Sequence, residues 1–203
     1  MLLDFNLLKQ KYSMDITGII HIGGHHGQEF KTYEENNISN VVFFEPVPST
    51  FKILEQNIGD KAILHNVALG NENKKVEMFI ETANQGQSSS ILEPGIHTRQ
   101  YPHITFDSKL EVDMVRLDDF LVGPTDYNFI NIDVQGYELE VMKGATNILE
   151  NIDYIMSEVN RDEVYINCSK VNELDSFLSD FGFSRVETTW DGLTWGDALY
   201  VKG

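Results

Sequence analysis

Five apolar runs in this chain carry, at or near their ends, residues that can do chemistry. Gly18 to Ile22 stops at Gly23-Gly24-His25-His26-Gly27, and Val41-Val42-Phe43-Phe44 stops at Glu45-Pro46. Ala62 to Leu69 contains Asn66, Phe129 to Val134 contains Asp133, and Tyr154 to Val159 holds Glu158 with Asn160 following. A glycine-rich turn lets the backbone approach a ligand, and the helix after it offers free N–H groups to an anion. Such a turn also serves as a plain strand-to-helix corner, so by itself it decides little. Against the dinucleotide pattern G-x-G-x-x-G, Gly24 and Gly27 fill the second and third glycines, but Ile22 falls on the first. The pyrophosphate cradle is therefore broken, and the phosphate-binding lysine pattern is absent. Glu45 stands where an acid accepts hydrogen bonds from ribose hydroxyls. A ribose acceptor without a pyrophosphate cradle points to a nucleoside ligand.

Side chains of this kind are useful only if strands deliver them to one edge of a sheet. Short β-rich runs alternate with amphipathic stretches: Gln28 to Asn36 and Pro48 to Ile58 read as helices, as do Asp118 to Leu121, Tyr137 to Leu149 and Asn172 to Phe181. Val41 to Phe44 and Phe129 to Val134 are continuous apolar runs, as strands buried on both faces require. Ala62 to Leu69 reads as one strand, Lys75 to Thr82 as an edge or hairpin strand, and Val112 to Leu117 as another strand. Ser184 to Thr189 and Asp197 to Lys202 flank Asp191-Gly192 as a closing hairpin. The fold class expected is α/β, a mostly parallel doubly wound sheet with an antiparallel C-terminal hairpin. Residues 83–107 show no long periodic signal and read as a loop or lid over a site, since long irregular segments in compact domains are usually functional.

The chain has 203 residues, a length for one domain over 1–203, and 41% hydrophobic residues predict a full core. Fifteen Lys and Arg against 32 Asp and Glu give a net charge of −17, which disfavours nucleic acid and anionic membrane surfaces as partners. No stretch is long and apolar enough to span a membrane, and the N-terminal residues do not form a signal peptide. The single cysteine, Cys168, cannot pair within the chain or build a thiolate metal site, so a reducing, cytoplasmic setting is expected.

Five ordered blocks together are distinctive. His21-Ile22-Gly23-Gly24-His25-His26-Gly27-Gln28-Glu29, Val42 to Pro46, Asn66-Val67-Ala68-Leu69-Gly70, Val115 to Leu121, and Asn131 to Ala145 resemble, in order, the FkbM family of S-adenosylmethionine-dependent methyltransferases. Ile132 to Ala145 is the most specific piece, similar to I-D-V-E-G-x-E-x-x-x-L-x-G-A. The resemblance implies a Rossmann-like class I methyltransferase fold, S-adenosylmethionine as cofactor, and methyl transfer to a hydroxyl of a carbohydrate or related small metabolite.

By position, the resemblance places Gly23, Gly24 and Gly27 against the methionine moiety, with His21 where the family usually has an Asp. It gives Glu45 to the ribose, Asn66, Val67 and Ala68 to the adenine, and Asp133 to the transferred methyl as the base. Glu158 would act beside it, with Asn160 bordering the acceptor. Gln135 replaces the family's Glu, retaining hydrogen-bonding capacity without charge. Glu138 could join a carboxylate cluster able to bind a divalent cation, but no compact ligand motif appears and no metal is expected. His97 and His103 are alternative bases or acceptor contacts, or plain loop residues. Trp190 and Trp195 could stack on a sugar or pack on the sheet edge, and Ser88-Ser89-Ser90 could contact the acceptor.

Two rivals remain at this level: a non-catalytic nucleoside-binding module, and a nicotinamide-dependent reductase, which lacks support in Ile22 and in the missing Tyr-x-x-x-Lys pair. Acceptor specificity must come from residues 83–107, the terminal hairpin, or a second subunit of a homo-oligomer. The overall charge favours a neutral or cationic acceptor, unless Arg99, Lys109 and Arg116 form a local basic patch.

Overall fold

The computed structural model describes residues 2–122 and 126–203. In chain order the elements are α1 (Phe5–Lys11), β1 (Ile19–Ile22), α2 (Phe30–Glu35), β2 (Val41–Phe44), α3 (Pro48–Ile58), β3 (Ile63–His65), β4 (Ala68–Leu69), β5 (Lys74–Glu81) and α4 (His97–Gln100). There follow β6 (Phe106–Val115), α5 (Leu117–Phe120), β7 (Phe129–Ile132), α6 (Glu138–Lys143), β8 (Tyr154–Asn160), α7 (Val171–Ser179), β9 (Phe183–Trp190) and β10 (Trp195–Lys202).

Seven strands form one sheet in the order β3-β2-β1-β7-β8-β10-β9. Its pairs are parallel except those of β10, which runs antiparallel to both β8 and β9. This is the doubly wound sheet with an antiparallel terminal hairpin expected from the sequence. The chain steps outward from β1 to β3 and returns to β7 on the other side of β1, so strand order reverses between β1 and β7. Ligands in open α/β sheets bind beyond the carboxyl ends of the strands at such a reversal.

Strand alternation divides the core in two. Ile20, Ile22, Val42, Phe44, Ile130 and Ile132 face one layer with Val141, Met142, Leu174 and Leu178 of α6 and α7. Ile19, Val41, Phe43 and Phe129 face the other with Phe5, Leu8, Phe30, Tyr33, Leu54 and Ile58 of the first three helices. Burial on both faces is why β1, β2 and β7 read as unbroken apolar runs.

Three expectations need correction. The run Ala62 to Leu69 is two strands in two sheets: β3 pairs with β2, whereas β4 pairs with β6 in a three-stranded sheet of order β4-β6-β5. Apolar content marks a strand but not its partner, and nothing local announced the small sheet. Its β6 begins at Phe106 rather than Val112, because Asp107, Ser108 and Lys109 lie on a ribbon that is largely exposed there. The helix read over Tyr137 to Leu149 stops at Lys143, where a Cβ on Gly144 would strike the Gly70 carbonyl, and a 3₁₀ turn follows at Ile148–Asn151. Asp118 receives the backbone N–H groups of Asn147 and Ile148 at that turn.

Candidate active site

A cavity of about 580 Å³ opens beyond the carboxyl ends of β1, β2, β7 and β8. Just past β1 Gly23 takes φ +84°, with both Gly23 and Gly24 donating to the Phe44 carbonyl at 2.9 and 3.0 Å. A Cβ on Gly23 would run into the backbone oxygen of Asp133, so glycine here lets the ends of β1 and β7 close together. Gly23 lines the cavity. Gly24 and Gly27 stand off its lining, and a side chain at either would press on Phe43, Leu54 or Ile58. Their smallness thus serves the packing of the turn on α3.

His21 and Asn131 line the inner end. Asn131 donates to the Tyr33 hydroxyl at 2.6 Å, and that hydroxyl lies in hydrogen-bond contact with His21 Nδ1 at 2.9 Å. His21 Nε2 lies 4.0 Å from Glu29 Oε2. Burial lowers the His21 pKa and keeps the ring neutral. Asn131 Oδ1 is buried without a partner.

Glu45 is buried at the end of β2 and lines the cavity. Its Oε2 accepts from His25 N–H and its Oε1 from Val47 N–H, each at 2.9 Å. Each oxygen keeps a further lone pair. Burial raises this carboxyl to about 7, and the two backbone N–H bonds only partly offset it. Val67, Ala68 and Leu69 form an apolar wall alongside. Asn66 does not line the cavity; its amide donates to the carbonyls of Glu45 and Pro46 at 2.8 and 3.0 Å and so fixes the end of β2.

The two remaining acids come together through a residue between them in the chain. Gln135, at φ +55°, donates from Nε2 to Asp133 Oδ1 at 2.7 Å and to Glu158 Oε2 at 2.8 Å. The two acceptors orient the amide, and the Tyr165 hydroxyl lies 2.8 Å from Gln135 Oε1 and 2.9 Å from the Ser88 carbonyl. Burial, then the neighbouring Asp133, Glu138 and Asp197, push the Glu158 carboxyl well above the usual range. Glu138 lies near both acids but off the lining: it is fully buried, and its Oε1 accepts from Val134 and Gly136 N–H at 3.1 Å each. It braces the turn that carries Asp133 and Gln135 and does not join a cation-binding cluster. Among the described residues no three His, Cys, Asp or Glu side chains are grouped to hold a metal ion.

Residues 83–107 form a wall of the cavity, with Asn84, Ser88, His97, Tyr101 and His103 among its lining. The segment is tied down: Ser90 donates to the Gln135 carbonyl at 2.7 Å, and His25 Nε2 lies 2.8 Å from the Gln85 carbonyl. Trp195 lines the cavity and donates to the Tyr101 hydroxyl at 2.8 Å, whereas Trp190 lies outside under the Arg161 guanidinium. Asn160 is buried with both amide atoms unpaired and does not line the cavity. The basic patch does not form there. Lys109 pairs with Glu77, Arg116 with Asp118 and Asp119, and neither these nor Arg99 line the cavity. Tyr165 escaped the sequence reading because its segment has no periodicity and no motif.

Comparison with known proteins agrees with this geometry. The methyltransferase FkbM domain matches residues 21–185. Over 158 residues, 72% of the chain, it is 28% identical to the 2-O-methyltransferase NoeI of Sinorhizobium fredii, covering 65% of that protein. Over 126 residues, 60% of the chain, it is 27% identical to the hexuronic acid methyltransferase AglP of Haloferax volcanii, covering 48% of it. The matches thus span between about half and two thirds of these relatives' lengths. The fold is similar to that of magnesium protoporphyrin IX methyltransferase from Synechocystis, with a TM-score of 0.53 at 10% identity over 97% of this chain and 74% of the other.

Proposed function

Because the chain belongs to the FkbM methyltransferase family, we propose that it is an S-adenosylmethionine-dependent O-methyltransferase acting on a hydroxyl of a sugar or related small metabolite. The observation that carries this reading is the charge of the cavity. Glu29, Glu45, Asp133 and Glu158 line it, and no lysine or arginine is among the described residues that do. Such a lining suits a cofactor bearing an ammonium and a sulfonium, and it is unsuited to a pyrophosphate. That disfavours the nicotinamide reductase.

The residues present fit the cofactor. Glu45 has one spare lone pair on each oxygen for the two ribose hydroxyls, Val67, Ala68 and Leu69 offer an apolar wall to the adenine, and the unpaired Asn131 Oδ1 can accept from the amino acid end. Gly23 keeps the backbone low at that end, with His21 and Glu29 beside it. When bound, S-adenosylmethionine supplies an activated methyl group to an in-line nucleophile. Asp133 takes the proton of the acceptor hydroxyl as its oxygen becomes that nucleophile. Gln135 holds Asp133 and Glu158 in one orientation, so little reorganisation is needed at the moment of reaction. A fixed pair of acids at the end of β7 and β8 also favours catalysis over a module that only binds.

Calorimetry with S-adenosylhomocysteine and with NAD tests the cofactor, and transfer of labelled methyl to a panel of glycosides tests the reaction. Binding of the former nucleoside and label in a sugar ether are expected. Binding of NAD alone would overturn the reading.

A further inference from the structure

We infer that the acceptor is an uncharged sugar, lying against a wall made by Tyr101 and Trp195, and that carboxylated and phosphorylated sugars are excluded; the inference rests on the sugar O-methyltransferase reading above. Sites that bind anionic sugars supply a countercharge, usually an arginine fork or a lysine. Here the described lining holds four carboxylates and no such cation. Of the histidines there, His97 is buried, and burial lowers its pKa, so it does not supply a fixed positive charge. A carboxylate on the acceptor would sit beside Asp133 and Glu158 with no lysine or arginine of the described lining to pair with it.

What the acceptor end does offer is an oriented aromatic surface. Trp195 Nε1 donates to the Tyr101 hydroxyl at 2.8 Å, and that hydroxyl donates to Asp191 Oδ2 at 2.9 Å. Both polar ends are thereby satisfied by the protein, within the β9–β10 turn region and outside the reaction. The rings are left to cover the C–H face of a sugar, an apolar contact at low entropic cost. Uncharged hydrogen-bonding groups of Asn84, Gln87 and Ser88 also line the cavity and can serve hydroxyls without requiring charge.

The test compares kcat/KM for methyl glycosides of glucose, galactose, mannose and fucose with that for glucuronic acid, galacturonic acid and glucose 1-phosphate, using labelled S-adenosylmethionine. At least one neutral glycoside is expected to exceed every anionic sugar by about tenfold or more. In parallel, Trp195→Leu should raise KM for the neutral sugar about tenfold with a smaller change in kcat and unaltered calorimetric affinity for S-adenosylhomocysteine, and Trp195→Phe should recover much of the loss. An anionic sugar used as well as or better than the neutral ones overturns the inference while leaving the methyltransferase reading intact. Methylation of none of them, with S-adenosylhomocysteine still bound, overturns both the sugar reading and the inference. A Trp195→Leu protein with unchanged KM removes the aromatic wall from the proposal.

Discussion

Gln135 donates its side-chain amide to Glu158 at 2.8 Å, across the gap between the ends of two neighbouring strands, and gives its other N–H to Asp133 at 2.7 Å. A carboxylate at position 135 could not make either bond without a proton of its own. The glutamine lets two acids sit together in a buried site with one donor for each, and the Tyr165 hydroxyl packs against the far end of the amide. The residue that departs from the family's usual Glu is thus the one that organises the acids in this chain.

Removing that clamp should cost turnover more than binding. Gln135→Ala is expected to lower kcat by about 10–100-fold while S-adenosylhomocysteine affinity stays within about threefold, because the amide contacts the acids. Gln135→Glu places a third carboxyl between the other two, so the acidic limb of the pH–rate profile should move to higher pH. An unmoved limb with full turnover would show that the amide does not set the state of the pair.

For Asp133, the role proposed is acceptance of a proton, which an amide cannot perform. Asp133→Asn keeps the shape and should lower kcat by about 10²–10⁴-fold, with cofactor affinity little changed by calorimetry. Retained turnover would shift the base to another cavity residue, and His97 or His103 would be the next to substitute.

Glu45 gives a pH signature in binding. Its carboxyl sits near 7 in the free protein because burial opposes its charge. Only the ionised form keeps both oxygens free to accept from ribose hydroxyls, so S-adenosylhomocysteine affinity should fall as pH drops from 8 to 6. Glu45→Gln would set an amide N–H against the backbone N–H of His25 or Val47, and should weaken binding by about 10–100-fold and flatten that pH dependence. Affinity that is level across this range in the wild type would remove Glu45 from the ribose.

Much of this site was readable because strand ends are short and local: β1, β2 and β7 are apolar runs, and the residue after each can be named from the sequence alone. What was not readable depends on contacts between distant segments. Asn66 lies next to Val67 in the chain, yet it turns away to the β2 carbonyls while Val67 lines the cavity. Glu138 looks like a member of the acidic cluster until its two backbone donors are seen. Tyr165 and the partner choice of β4 have no sequence signature, since a phenol reaching across 30 positions and a two-residue strand both leave the local pattern unchanged.

Glycine requirements separate cleanly by position. Gly23→Ala must move the Asp133 backbone or the end of β1, and it also strains φ +84°, so both thermal stability and cofactor binding should fall. Gly59→Ala, at φ +63° and ψ −133° with nothing within 4 Å of the new methyl, strains only its own backbone, so it should lower stability by about 1–3 kcal/mol and leave binding intact. Thermal unfolding and calorimetry on the two variants check the contrast; equal losses would mean that the closeness of β1 and β7 does not matter to the site.

Glu138 provides a measurement of what burying the acids costs. Its carboxyl is raised to about 7 by burial, with its backbone donors opposing and Asp133 adding to the shift. A group raised above its unfolded value favours the folded state fully at pH below that value, and the advantage is lost as pH climbs through the folded one. The wild type should therefore lose stability between about pH 5 and pH 8 as this acid is forced to ionise inside the fold. Glu138→Gln retains an oxygen for the Val134 and Gly136 N–H groups but has no proton to lose. Relative to wild type, its stability should thus improve by on the order of 2 kcal/mol between pH 5 and pH 8, or about 4–8 °C in Tm for a chain of this size. Thermal unfolding of both proteins at the two pH values decides it, and parallel curves would mean that Glu138 does not carry this penalty.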